Sequence, residues 1–127
     1  MFIIPANSAS SSSQTQAIFA YGGNAAGDKV SMSNLVSSDG VVSADVTGVG
    51  TARNRTAGAN YGGDKGIFFG GDDGSARTGV SNLVSNVGVI ASDTGAVGTG
   101  RSGQAGTGYG DDLAVFAYGY EPSAEYG

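Results

Sequence analysis

Ser33-Asn34-Leu35-Val36-Ser37-Ser38-Asp39-Gly40-Val41-Val42 decides how the chain is to be read, because about 48 residues later it returns as Ser81-Asn82-Leu83-Val84-Ser85-Asn86-Val87-Gly88-Val89-Ile90. Each version is a short apolar run, a polar turn closing on Gly, and a second apolar run. Asp39-Gly40 between apolar residues is a strong hairpin signal. Working outward, Asp45, Gly50-Thr51, Arg53 and Tyr61-Gly62 recur in the same order and register as Asp93, Gly98-Thr99, Arg101 and Tyr109-Gly110. An aromatic element occurs three times: Ala17-Ile18-Phe19-Ala20-Tyr21-Gly22, Gly66-Ile67-Phe68-Phe69-Gly70-Gly71 and Ala114-Val115-Phe116-Ala117-Tyr118-Gly119. Repetition at such a period marks a repeat architecture.

The pattern predicts an all-β fold. The aromatic strand ends in Gly, where reversal is cheap because Gly accepts positive φ. A hairpin of 33–37 and 40–46 follows, then a fourth strand within 53–61 that runs into the next aromatic strand. No window has helical period. Residues 17–127 therefore read as two four-stranded repeats plus a third copy of the first strand. Residues 1–16 read as a flexible arm: Ala6 to Gln16 is a polar Ser-rich tract with nothing to bury. Phe2, Ile3 and Ile4 form an apolar tip suited to anchoring the arm on another protein.

Composition narrows the function. The 127 residues include 24 Gly, and Leu, Ile, Val and Phe make up only about one-fifth of the chain, near the level where a thick core becomes unavailable. Thin sheets of small residues are what remains. The net charge is −5, and without clustered Lys and Arg nucleic acid is not an expected partner. Cys and His are absent, which removes disulfides, thiol and imidazole catalysis and the usual zinc sites. No paired carboxylates stand out from the turn Asp residues, so no catalytic residue, metal or cofactor is expected. The apolar runs are too short to span a membrane. The opening residues do not read as a secretory signal, so an exported role points to release with an assembled particle made in a host cytoplasm.

An apolar strand ending in Gly-Gly, a short hairpin, then Gly-Thr-x-Arg and Tyr-Gly-x-Asp before the next apolar strand resembles a kelch-type repeat over residues 17–120. The resemblance implies four-stranded β-propeller blades. The wording Ile-Phe-x-Tyr-Gly, Ser-Asn-Leu-Val-Ser, Gly-Val-Val and Gly-Thr-x-Arg is similar to kelch-like repeats of phage tail-fibre and virion-surface proteins. That likeness implies a structural component of a bacteriophage virion: a tail fibre, head fibre or decoration protein. A stacked hairpin array of the same period is the competing arrangement. A propeller needs about four blades or more, so two blades call for completion by other copies. Three chains would close a six-bladed ring, and a contact that does not close would give a filament.

The repeated residues Asp45, Arg53, Tyr61, Asp93, Arg101 and Tyr109 read as framework: Arg–carboxylate pairs tying strands and Tyr rings packing between units. The strand of Ala114, Val115, Phe116, Ala117 and Tyr118 is suited to completing the sheet of a neighbouring copy. Tyr118, Tyr120 and Tyr126 lie in the least repeated part and are the candidates for contact with an outside ligand such as a host-surface glycan. Adhesion to glycan, or a place as subunit of an extracellular surface filament, are the alternatives to the virion role. The Asp pairs Asp72-Asp73 and Asp111-Asp112 read first as turn residues.

Overall fold

A computed structural model describes residues 16–121. The fold is all-β: seven strands, no helix among the described residues, in three small antiparallel sheets. β1 (Gln16–Gly23) pairs with β2 (Lys29–Ser37); β3 (Ala57–Tyr61), β4 (Lys65–Phe69) and β5 (Ser81–Val84) form the middle sheet; β6 (Ala105–Tyr109) pairs with β7 (Leu113–Ala117).

The repeated motif folds the same way twice. Gly40 donates its N–H to Ser37 O at 2.9 Å and Ser37 to Val41 O at 2.9 Å; Gly88 and Ser85 do likewise, to Ser85 O at 3.0 Å and Val89 O at 2.9 Å. Gly40 and Gly88 have φ of 79° and 77°, left-handed values that cost Gly little. The returning segments differ from the expected continuous strands. They are held by isolated bridges, Val36 with Val42, Ser33 with Val46 and Val84 with Ile90. The reason is that side chains take over the ladder. The Leu35 N–H goes to Ser43 Oγ at 3.0 Å, and the Asn34 and Asn82 amides reach Ser43 O at 3.1 Å and Ala91 O at 3.0 Å.

The unit boundary also differs from the sequence repeat. β3 pairs in full register with β4, from Ala57 opposite Phe69 to Tyr61 opposite Lys65, so the segment after Arg53 belongs to the sheet of the following aromatic strand. The middle unit is thus β3, β4, β5 and the bridged segment after Gly88. The first unit has β1, β2 and the segment after Gly40. Among the described residues the last has β6 and β7.

Units meet through small residues. β6 packs on β3, and a Cβ on Gly108 would lie 2.5 Å from Asn60 O, so the two backbones touch. Phe69 stacks on Phe116 with centroids 5.1 Å apart, and Phe68 meets Tyr21 edge-on at 5.5 Å. Among the described residues the buried apolar ones are few, Tyr21, Ala57, Val84 and Ile90, and they share the interior with buried Ser33, Arg53, Asn82 and Ser102.

Candidate functional site: an arginine between repeats

Arg53 lies just before β3 and is fully buried, at 0 % exposure. A guanidinium there needs every donor matched, since an unpaired buried charge is costly. The match comes from three directions. Nε donates to Gly70 O at 2.8 Å, Nη1 to Thr51 O at 3.0 Å and Nη2 to Asn82 Oδ1 at 2.5 Å. Asp93 Oδ1 stands 3.7 Å from Nη1, and the Tyr21 ring lies under the guanidinium carbon at 4.1 Å, a cation–π geometry. Gly70, Asn82 and Asp93 belong to the middle unit and Tyr21 to the first, so one side chain joins two repeats.

The socket is itself braced. Asn82 Nδ2 donates to Asp93 Oδ1 at 2.9 Å, and Thr51 donates to Asp93 Oδ2 through N–H at 3.0 Å and Oγ1 at 2.6 Å. Partial burial pushes the Asp93 carboxyl up, but the bonds from Thr51 and Asn82, with the Arg53 charge, outweigh it and hold the group below its ordinary 3.8. Burial pushes the Tyr21 phenol above 10.0, against the opposing charge of Arg53. Tyr21 occupies left-handed backbone, φ 65°, as do its counterparts Gly70 at 66° and Tyr118 at 63°. A non-Gly residue in this region carries strain. At Tyr21 that strain is held by the ring contact with Arg53 and by the Tyr21 hydroxyl donating to Val49 O at 3.3 Å.

The other framework residues are placed differently. Arg53 does meet a carboxylate, but that of the next unit, Asp93. Asp45 is exposed, and its Oδ1 accepts from Asn34 Nδ2 at 2.8 Å with no Arg beside it. Arg101 is half-buried, and its Nη1 donates a long hydrogen bond to Gly119 O at 3.4 Å. Tyr61, half-buried, and Tyr109, 53 % exposed, end β3 and β6. Ala114 to Ala117 lie in β7, paired with β6, and Tyr118 directly follows; the other edge of β7 has no strand partner among the described residues. Tyr118 and Tyr120 are exposed, with Arg77 over the Tyr120 ring at 4.9 Å. Phe2, Ile3, Ile4 and Tyr126 lie outside the described residues. Asp72 Oδ1 accepts from Gly74 N–H, and Asp73 Oδ1 from Ser75 and Ala76, the bonding of turn residues. Among the described residues no cluster of three metal-ligating side chains forms.

Sequence reasoning assigned no role to Thr51, Gly70 or Asn82, and grouped Tyr21 with the tyrosines that could stack on sugars and not with Arg53. Asn82 carried a signal nonetheless: a polar residue repeated inside an apolar motif implies a shared partner.

No protein-family model matches the chain, and no curated protein matches it.

Proposed function

We propose that this chain is a non-enzymatic structural protein that works by associating with copies of itself through its β repeats. The units serve as kelch-like blades, and the setting is a bacteriophage virion, as a tail fibre, head fibre or decoration protein. One observation carries the self-association: residues packed where two repeats meet have counterparts left open at the ends. Tyr21 is 9 % exposed and its counterpart Tyr118 68 %, while Phe19, counterpart of Phe68, is 51 % exposed. Apolar surface left in this way marks an interaction site. The virion setting rests on the likeness of the repeat wording alone. In that setting the arm would attach the assembly to other virion proteins.

The test is the mass of the full-length chain in solution by size-exclusion chromatography with light scattering, followed by imaging of the peak. A discrete trimer fits a closed ring, and fibres fit an open assembly. A monomer at every concentration overturns the reading.

Exposed Tyr118 and Tyr120 favour a second reading, adhesion to a host-surface glycan, since Tyr combines an apolar face with a polar tip. A glycan-array signal lost in both Tyr118→Ala and Tyr120→Ala supports adhesion.

A further inference from the structure

Three copies of one strand sit in three settings. β4 has β3 on one edge and β5 on the other, whereas β1 pairs only with β2 and β7 only with β6 among the described strands. Yet residues 17–22 and 114–119 differ at one place, Ile18 against Val115. Among the described residues β1 lacks a neighbour of the β3 kind, and β6 is such a strand. We infer that, between two copies of this chain, β1 of one copy takes the place of β7 on β6 of the other. One four-stranded sheet then forms from β6 of the first chain and β1, β2 and residues 41–46 of the second. This rests on the self-association proposed above and assigns it a register: Ile18 opposite Thr107, the position Val115 holds within one chain.

The exchange completes the arginine site. Arg53 is held by Asn82 and Asp93. The corresponding residues, Asn34 and Asp45, are bonded to each other at 2.8 Å with no guanidinium between them, while Arg101 among the described residues makes a long bond to Gly119 O. Seating β1 of a second copy on β6 brings its Asn34 and Asp45 to Arg101. The same step fills two other open places. Gly88 lies directly against the Leu35 side chain, whereas a Cβ on its counterpart Gly40 would meet nothing within 4 Å, and Leu83, counterpart of Leu35, is 40 % exposed. A groove of about 680 Å³ runs beside β1, lined by Ala17 and Ile18, by Gly58 and Asn60 of β3, and by Gly106 and Thr107 of the chain's own β6. The β6 of another copy, built of Ala105, Gly106, Thr107, Gly108 and Tyr109, is slim enough to lie along it.

β7 is the strand that leaves. β1 is pinned through Tyr21 under Arg53, while Tyr118, the matching residue after β7, is 68 % exposed. β7 therefore acts as a cap that a second copy must displace, the reverse of a strand donated to a neighbour.

Light scattering over a concentration series reads the association of the full chain and of Arg101→Ala, Asp45→Ala, their double variant and Val115→Pro, with circular dichroism to confirm folding. Arg101→Ala and Asp45→Ala are each expected to weaken association by at least about tenfold. The double variant should be little weaker than either single one, as for two halves of one contact. Val115→Pro removes an N–H from β7 and is expected to tighten association by loosening the cap. Self-association indifferent to Arg101 and Asp45, or weakened by Val115→Pro, overturns this register and leaves self-assembly standing. A monomeric wild-type chain overturns both.

Discussion

Arg53 shows how one polar side chain can replace an apolar core. Removing one partner from a buried, hydrogen-bonded charge leaves the others desolvated and unpaired. Arg53→Ala is therefore expected to destabilise the chain by about 3–5 kcal/mol, and Arg53→Lys also, since an ammonium cannot span Gly70, Thr51 and Asn82 as a planar fork does. Arg101→Ala, read by urea denaturation at a dilution where chains are separate, should cost less than about 1 kcal/mol. Equal losses at the two positions would show that the identical repeat position, and not the socket, sets the energy. A pH dependence follows from Asp93. Its folded pKa lies below the ordinary 3.8, so its contribution to stability is present above that value and is lost as pH falls through the folded value. Asp93→Asn should flatten the acid-side decline in denaturation midpoint and leave the neutral region level. Asp73, held low by the Ala76 and Ser75 amides, keeps a share of the decline. At this scale the sequence was only half legible: the repeat marked Arg53 and Asp93 as framework, but not which repeat each would serve, because spacing says nothing of which unit a long side chain reaches.

Among the elements, the hairpins were the most legible, since Ser37 to Gly40 and Ser85 to Gly88 carry their turn in the residues themselves. The returning segments were less so. Ser43, Asn34 and Asn82 look like ordinary strand residues, and only in three dimensions do their side chains stand in for backbone bonds. Contact between sheets was hidden further, because Gly in a strand reads equally as a weak point or as a place of close approach. Gly108 is the second kind. Gly108→Ala would drive a Cβ to 2.5 Å from Asn60 O, and backbone cannot yield as a side chain does; a loss of about 1–3 kcal/mol is expected. Gly58→Ala meets only the rim of the Phe68 ring at 3.4 Å. It should be neutral, or stabilising by up to about 1 kcal/mol through the unfolded chain. Thermal denaturation of the two variants separates close packing of β3 and β6 from a general intolerance of Ala in these strands.

For the molecule as a whole, the all-β architecture followed from the repeat, whereas the grouping of strands did not: the sequence repeat starts at the aromatic strand and the folded unit starts one strand earlier, at β3. Among the described residues that offset of one strand leaves the first unit without an inner strand and the last without two outer ones, and the sequence shows it only as a surplus strand. The interior has a thermodynamic consequence of its own. Joints between units combine a guanidinium, amides, close backbone approach at Gly108 and two aromatic ring contacts, with only four apolar residues buried among the described residues. Unfolding must then expose little oily surface to water. Scanning calorimetry should give a heat-capacity increment below the roughly 12–15 cal/mol/K per residue of ordinary globular domains. A flat stability curve follows, in which cooling loosens the protein less than it loosens one held together by a thick hydrocarbon interior.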